Sequence, residues 1–187
     1  MSRTRVYVPR ETAAVSVGAD DVAIAIARCS KAAGADIELI RNGSWGASWL
    51  EPLVEVDVDG ERIAYGNVEA ADVESLFERG FLKGGKHARW LGPTAEIPYL
   101  SKQERWTFSR AGRINPLSLA DFRASSGFAA LEAALTMSCD AIIDAITASG
   151  LRGRGGAGFP TGIKWRAVLE AEAGQKYIVC NADEGDS

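Results

Sequence analysis

The sequence is poor in the residues that most often mark a metal site. Its 187 residues include three cysteines and one histidine. Cys29, Cys139 and Cys180 are too widely spaced for any two to form a zinc or iron–sulfur ligand motif. His87 has no cysteine or carboxylate beside it, so we expect a surface residue and no metal site. An odd number of distant cysteines is typical of a reducing compartment, which predicts a cytoplasmic protein.

Long apolar runs and an excess of positive charge are also missing. The longest runs, such as Val22–Ala27, are too short to cross a bilayer, which excludes a membrane-spanning helix. No apolar stretch follows the basic residues at positions 1–10, so we expect no secretory signal. A net charge of -4 argues against nucleic acid as a partner. With 47% hydrophobic residues, the chain has enough apolar material for a packed core.

The first eighty residues predict a small α/β module. Asp59-Gly60 separates two alternating runs, which is a strong signal for a β-hairpin. Acidic residues begin and a glycine ends the first predicted helix, over residues 20–33. The order β-α-β-β-β-α is that of a thioredoxin-like module. Its predicted strands are Arg5–Val8, Ile37–Arg41, Leu53–Val58 and Glu61–Tyr65, and its last helix is Ala71–Arg79.

Residues 81–115 are interpreted as a connector, because glycines, prolines and scattered aromatic residues interrupt any regular pattern. Four tryptophans are candidates for packing on partner proteins, namely Trp45, Trp49, Trp90 and Trp106. Residues 116–187 are expected to begin a second α/β domain. Its predicted helices are Leu119–Arg123, Phe128–Thr136 and Cys139–Ala148, the last with Ser138 as its N-cap.

The segment Gly150–Trp165 carries the strongest functional signal, with six glycines between positions 150 and 162. Glycine lets a backbone approach a ligand, and a helix predicted over Ile163–Ala173 adds an N-terminus that favours phosphate. Four cations and no acid lie between Ala145 and Leu169, which predicts a phosphate-bearing ligand. A solvated loop and a Rossmann dehydrogenase stay open as alternatives, although a helix precedes the G-x-G-x-x-G pattern where a Rossmann turn needs a strand. The cations are Arg152, Arg154, Lys164 and Arg166.

A polar, acidic segment follows a predicted strand, Tyr177–Cys180. The carboxyl end of such a strand is where α/β sheets place ligand-binding groups. Asn181 is a candidate to bond a heterocycle, and Asp183 and Glu184 are candidates to accept from ligand hydroxyls. A frayed acidic terminus is the alternative.

These two segments together resemble the flavin subunit shared by respiratory NADH dehydrogenase, NAD-reducing hydrogenases and NAD-dependent formate dehydrogenases. The family segments G-L-R-G-R-G-G-A-G-F-P-T-G-x-K-W and C-N-A-D-E stand complete at Gly150–Trp165 and Cys180–Glu184. Shorter similarities, such as Ile114-Asn115-Pro116, extend the resemblance over roughly residues 96–187. It implies an FMN-binding, Rossmann-like α/β domain that binds NAD as well.

The resemblance also implies roles for individual residues. The residues implied to contact FMN are Gly153, Gly155, Lys164, Asn181, Asp183 and Glu184, with Arg154 in the same cofactor-binding set. Gly156 and Phe159 would face the dinucleotide, Phe159 by stacking on adenine, and Asp186 would hold a ribose hydroxyl. Ala167 stands where the family often has an aromatic residue, so one half of the adenine clamp differs here.

The thioredoxin-like module resembles the [2Fe–2S] domains of the same complexes but has none of their four thiols. Pro9 and Ala14 stand at the first pair of ligand positions, and Ser44 and Ser48 at the second. Serine and alanine supply no thiolate, so we expect a module without a cluster. A cluster-less module ahead of a flavin domain most resembles the β subunit of NAD-dependent molybdenum formate dehydrogenases.

The expected function is therefore hydride exchange between NAD(H) and FMN, with electrons passing through iron–sulfur centres and formate oxidation coupled to NAD+ reduction. A molybdenum-containing catalytic subunit and a [2Fe–2S] thioredoxin-like subunit are the implied partners. The chain is expected to be the N-terminal portion of a longer subunit, with the [4Fe–4S] ligands beyond residue 187. Two alternatives stay open: a flavin subunit of an NADH dehydrogenase or NAD-reducing hydrogenase, and a non-catalytic docking fragment.

Overall fold

The computed structural model describes residues 3–180. The chain divides into two compact units, Met1–Ser125 and Ser126–Ser187, here named the sheet unit and the glycine-loop unit. Across the part of the chain that is described, every helix is too short or too polar to cross a membrane.

A five-stranded sheet with the order β2-β1-β3-β4-β5 organises the sheet unit. β1 and β2 are parallel and joined through two helices, whereas the other neighbours pair antiparallel. This mixed sheet confirms the predicted α/β class. The strands are β1 (Thr4–Tyr7), β2 (Ile37–Ile40), β3 (Val54–Val58), β4 (Glu61–Tyr65) and β5 (Trp90–Pro93).

Helices cover the sheet and close its core. α2 buries Val22 and Ile26 against the buried strand residues Val6 and Val56, so one apolar face of the helix removes the inner strands from water. The unit's helices are α1 (Thr12–Ser16), α2 (Ala19–Ala32), α3 (Val73–Glu78), α4 (Pro98–Ser101) and α5 (Leu119–Ala124). α1 was not predicted. Glu11 caps it by accepting hydrogen bonds from the Ala13 and Ala14 N–H groups at 2.8 and 2.7 Å.

The β3–β4 hairpin forms at the predicted turn. Asp59 and Gly60 have positive φ angles of 54° and 88°, as a two-residue type I′ turn requires. The Asp57 carboxylate accepts a hydrogen bond from the Gly60 N–H at 2.8 Å and holds the turn closed. The predicted order β-α-β-β-β-α is therefore present, with α1 added between β1 and α2.

Part of the predicted connector, residues 81–115, belongs to the sheet. β5 pairs antiparallel with β4, with an irregularity in register between Ala64 and Tyr65. The sequence pattern missed β5 because Gly92 and Pro93 disfavour a central strand, whereas an edge strand accepts both. Trp90 packs against the core of its own unit, and Trp45 is half-buried there, while Trp49 and Trp106 are 55% and 81% exposed.

The glycine-loop unit is helical over its described residues, 126–180. Its helices are α6 (Ala129–Ala134), α7 (Cys139–Ala148) and α8 (Thr161–Glu170). α7 has the predicted bounds, and its N-cap Ser138 accepts from the Ala141 N–H at 3.2 Å. The predicted strand Tyr177–Cys180 is absent, and Ile178 is fully exposed. A strand needs a neighbour for its backbone groups, and residues 126–180 offer none beside this segment.

Candidate cofactor-binding site

The glycine-rich segment forms a closed loop between α7 and α8. The Gly153 N–H donates to the Phe159 carbonyl, and the Thr161 N–H donates to the Leu151 carbonyl, both at 2.9 Å. These two bonds join the base of the loop and leave residues 154–158 as its tip. The tip is therefore held at both ends by backbone contacts that involve no side chain.

The backbone of the tip is open to solvent. Within the described residues, a Cβ added to Gly155, Gly156 or Gly158 would meet no atom within 4 Å. Gly156 and Gly158 also have φ angles of 98° and 58°, which disfavour any other residue. No acceptor within residues 3–180 takes a hydrogen bond from the N–H groups of residues 154–158. The tip therefore presents unpaired backbone donors, which suit an anion or the edge of a heterocycle.

Two arginines brace the loop from within. Arg152 donates to the Gly158 carbonyl at 3.0 Å, and Arg154 donates to the Arg152 carbonyl at 2.9 Å. Both bonds use carbonyl groups and leave the donors of the tip free. Arg152 was counted only as a cation in the sequence; its bracing bond depends on the loop conformation and has no sequence signature.

Lys164, in the first turns of α8, lies over the base of the loop. Its ammonium nitrogen is 5.6 Å from the centre of the Phe159 ring, and a Cβ on Gly153 would lie 3.3 Å from it. Among α8's own residues the first turn contains no acid, so the positive helix N-terminus and the lysine act in the same direction. Loop and helix together form a cationic cradle.

Helix α8 is seated tightly on α7. Gly162 faces Thr147 with no space for a Cβ, so the two helices approach closely at this point. Arg166 on α8 bonds the carboxylates of Asp140 and Asp144 on α7, the latter at 2.9 Å. These bonds raise the pKa of Arg166, chiefly through Asp140. Sequence reasoning missed this support, because only the helix packing shows which positions meet.

Six of the predicted site residues come together in this loop and helix: Gly153, Arg154, Gly155, Gly156, Phe159 and Lys164. The other four, Asn181, Asp183, Glu184 and Asp186, lie outside the described residues. All ten roles stay predictions. The cradle that is described fits the phosphate part of FMN, because its open glycine tip and Lys164 offer the donors and charge such a group requires.

In the sheet unit, the positions that correspond to cluster ligands do not fit a cluster. The Ala14 methyl group is fully buried, and the Ser44 hydroxyl donates to Glu51 at 2.8 Å. No group of three potential ligand residues that could hold a metal ion occurs within residues 3–180. Loop 43–48 takes part in a polar network around a buried carboxylate.

The buried carboxylate of Glu55 is the centre of that network. It accepts hydrogen bonds from Trp45 at 2.9 Å, Thr94 at 2.8 Å and Arg62 at 3.3 Å. Burial raises the pKa of Glu55, and the charge of Arg62 opposes that rise. Arg62 also donates to the Gly112 carbonyl at 2.8 Å. The network therefore fastens the segment around residue 112 to the sheet.

His87 differs from the exposed residue that was expected, since it is half-buried. Its Nδ1 accepts a hydrogen bond from the Arg89 N–H at 3.1 Å, so the neutral ring carries its proton on Nε2. Nε2 lies 3.0 Å from the Ser75 hydroxyl, which itself donates to the Asp72 carbonyl. Nε2 therefore has no lone pair to accept the serine proton, and the contact between His87 and Ser75 is structural.

Comparison with known proteins relates the C-terminal part of the chain to flavin-binding domains. Residues 146–187 match the family described as the Nuo51 FMN-binding domain. That match covers the glycine loop, Lys164 and the acidic segment together. The C-terminal part of this chain is similar to an FMN-binding domain.

Curated relatives include hydrogenase and NADH-quinone oxidoreductase subunits. NADP-reducing hydrogenase subunit HndC of Solidesulfovibrio fructosivorans is 53% identical over 85 residues, 46% of this chain and 17% of that protein. NAD-reducing hydrogenase HoxS subunit alpha of Cupriavidus necator is 54% identical over 56 residues, 30% of this chain and 9% of that protein. The F subunit of the NADH-quinone oxidoreductase of Streptomyces coelicolor is 35% identical over 105 residues, 56% of this chain and 21% of that protein.

The chain thus spans less than a quarter of each of these relatives. Among solved structures, a thioredoxin-like [2Fe–2S] ferredoxin from Aquifex aeolicus aligns with 50% of this chain and 94% of its own, at 18% identity and a TM-score of 0.43. An NAD+-reducing [NiFe]-hydrogenase aligns with 98% of this chain and 31% of its own, at 22% identity and a TM-score of 0.39.

Proposed function

We propose that this chain supplies part of the FMN and NAD(H) site of an oxidoreductase flavin subunit. The subunit exchanges hydride between NAD(H) and FMN and passes electrons to iron–sulfur centres. The observation that carries the proposal is the tip of residues 154–158, whose open backbone donors stand beside Lys164 and the α8 N-terminus. The match of residues 146–187 to an FMN-binding domain supports it.

Each part of the cradle has a separate task in this proposal. The tip N–H group of Gly155 hydrogen-bonds FMN, the Lys164 ammonium neutralises its phosphate charge, and Gly156 faces the dinucleotide. Phe159 is 45% exposed and offers a ring face for adenine. FMN supplies the hydride chemistry when bound, and the protein supplies binding and orientation. Asn181, Asp183, Glu184 and Asp186 complete the set as polar partners.

The finer proposal couples this site to formate oxidation. It places the chain in an NAD-dependent formate dehydrogenase with a molybdenum-containing subunit and a [2Fe–2S] thioredoxin-like subunit, and assigns a [4Fe–4S] centre to the parent subunit. What favours it is the absence of thiols at Pro9, Ala14, Ser44 and Ser48 in a module ahead of the flavin segment. The hydrogenase relatives favour the alternative of a hydrogenase flavin subunit.

The proposed domain organisation follows the same reasoning: a thioredoxin-like module without a cluster over 1–80, a connector over 81–115 and the incomplete flavin domain over 116–187. Iron analysis and visible spectroscopy of the purified chain test the first part. Stoichiometric iron with a [2Fe–2S] spectrum would contradict it, whereas iron-free protein is the expected result.

The flavin site is tested by Gly155→Val in the full-length subunit. A Cβ at Gly155 meets no atom of residues 3–180 within 4 Å, so valine should preserve folding but block FMN from the tip. We expect at least a tenfold loss of FMN retained after purification, measured by flavin release on denaturation. Gly174→Val is the matched control, because its Cβ also meets nothing and it lies outside the loop. Wild-type FMN content in Gly155→Val would refute the site.

The identity of the electron donor is tested separately, with the intact complex that contains its cofactors. Flavin bleaching by formate but not by hydrogen is expected for the formate dehydrogenase proposal. Bleaching by hydrogen alone would assign the chain to the hydrogenase alternative and leave the FMN site intact.

A further inference from the structure

The sheet unit has a cleft whose charge nothing in the proposed function uses. It has a volume of about 920 Å³ and lies between the β3–β4 turn and the segment 94–113. We name it the arginine cleft. Its polar lining includes Trp45, Arg62, Ser101, Arg105, Ser109 and Arg113.

The charges in the arginine cleft are unbalanced. Arg62 is paired with Glu55, but Arg105 and Arg113 form no ion pair with any residue in the range 3–180. Glu61 is the one acid in the lining and is exposed at the start of β4. Two guanidinium groups therefore face the cleft with no carboxylate of the sheet unit bound to them.

A second surface cleft of the same unit gives the contrast. It has about 1000 Å³ and also contains two arginines, Arg3 and Arg5. These are paired with Asp36 and Glu38 at 3.0 and 3.2 Å, and Asp57 and Asp59 lie in the same lining. In this second cleft each arginine has an acid partner, whereas Arg105 and Arg113 in the arginine cleft have none within residues 3–180.

The Arg105 guanidinium group is held in place by hydrogen bonds. Arg105 donates to the Trp45 carbonyl at 2.7 Å and to the Gln103 side chain at 2.9 Å. Arg105 and Arg113 lie 5.4 and 5.9 Å from the centre of the Trp45 ring, which Glu55 fixes through its hydrogen bond. Fixed donors lose less conformational entropy when a ligand binds. Arg105 is therefore preorganised for an anion, and Arg113 lies on the same tryptophan ring.

We propose that the arginine cleft binds a phosphorylated small molecule. Arg105 and Arg113 bind its phosphate oxygens, because a guanidinium group pairs with phosphate through two parallel hydrogen bonds. The Ser109 hydroxyl is a further donor in the lining, whereas the Ser101 hydroxyl donates to the Pro98 carbonyl at 3.4 Å. A volume of about 920 Å³ matches the size of small-molecule sites. This site is separate from the glycine loop and does not depend on the proposed function.

Pyrophosphate and ADP are the probes, titrated into the purified chain by isothermal calorimetry. Arg105→Gln/Arg113→Gln should weaken binding of both by about tenfold or more, since each lost charged hydrogen bond contributes substantially. Arg3→Gln/Arg5→Gln is the matched control, with the same charge change in the balanced cleft. Arg154→Gln controls for binding at the glycine loop. Circular dichroism checks that each variant is folded.

The outcomes separate the explanations. A loss confined to Arg105→Gln/Arg113→Gln supports the proposal. An equal loss in the Arg3/Arg5 control means unspecific charge attraction and overturns it. Binding that responds only to Arg154→Gln assigns the anion to the glycine loop and also overturns it. If the cleft variant released a partner protein of the complex while the wild type bound neither pyrophosphate nor ADP, the cleft would be a protein interface and the proposal would be wrong. FMN content, measured in parallel, reports on the proposed function alone.

Discussion

The two units of this chain treat their polar groups in opposite ways. The sheet unit buries Glu55 and satisfies it with four hydrogen-bond donors, so polar chemistry there holds the fold together. The glycine-loop unit leaves the backbone donors of residues 154–158 exposed and unpaired within the described chain. Unpaired donors contribute nothing to folding but are available to a ligand. The contrast is between a buried polar network that stabilises the sheet unit and a set of exposed backbone donors that has no partner within the described glycine-loop unit.

The largest expected effect in this comparison is the loss of the Glu55 carboxylate. Glu55→Ala leaves the Trp45 indole and the Arg62 charge without their buried acceptor, which should destabilise the sheet unit by about 3–5 kcal/mol. Urea unfolding followed by circular dichroism measures it. Glu38→Ala is the matched control, because its ion pair with Arg5 is half-exposed and should matter little. Similar losses for both variants would mean that burial of Glu55 is not what makes it important.

The second-largest expected effect concerns the close packing of α8, which follows the glycine loop, on α7. Gly162→Val forces a side chain against Thr147 and should separate α8 from α7, at a cost of about 1–3 kcal/mol. Limited proteolysis within 150–162 and FMN content both report the change. Gly155→Ala adds a Cβ where there is space, so it should leave proteolysis unchanged. If Gly162→Val were as resistant as wild type, the close packing of the helices would be wrong.

The sequence predicted the sheet unit well because its signals are local. Asp59-Gly60 fixes the hairpin through backbone angles that few other residue pairs accept. In the glycine-loop unit, α7 follows in the same way from its N-cap Ser138. β5 was missed because Gly92 and Pro93 are tolerated only in an edge strand. That β5 is an edge strand is known only from its pairing with β4.

In the candidate site, glycine spacing predicted the loop, but not how it is held. The bond from Arg152 to Gly158 and the contact of Gly162 with Thr147 depend on three-dimensional packing. The strand predicted at Tyr177–Cys180 was wrong over the described chain, because an apolar run forms a strand only beside another. The local sequence pattern therefore identified the candidate ligand-binding segment, whereas the contacts that hold this segment in place had no local signature.

A smaller effect is the pH dependence of the sheet unit. Burial raises the pKa of Glu51 and Glu55 above 4.5, so the folded state holds these protons more tightly than the unfolded chain. Their contribution to stability is full below pH 4.5 and is lost as pH rises through the folded pKa. We expect Glu51→Gln/Glu55→Gln to flatten the decline in unfolding free energy above pH 4.5, by at most about 1.4 kcal/mol per pH unit and proton. A decline as steep as in wild type would assign it to other groups.

The smallest expected effect is at Arg166, which joins α8 to α7 on the exposed side of the glycine-loop unit. Arg166→Gln removes a charge shared by Asp140 and Asp144, but solvent screens exposed ion pairs, so unfolding should change little. The effect of this variant on the orientation of α8 is more informative, because α8 positions Lys164 in the cradle. FMN affinity measured at low and high salt should fall slightly in the variant and converge with wild type at high salt. Arg28→Gln, at an exposed position of α2 in the sheet unit, is the matched charge control. A large loss of stability in Arg166→Gln would mean that this unit, too, depends on a polar network, and would remove the contrast between the two units.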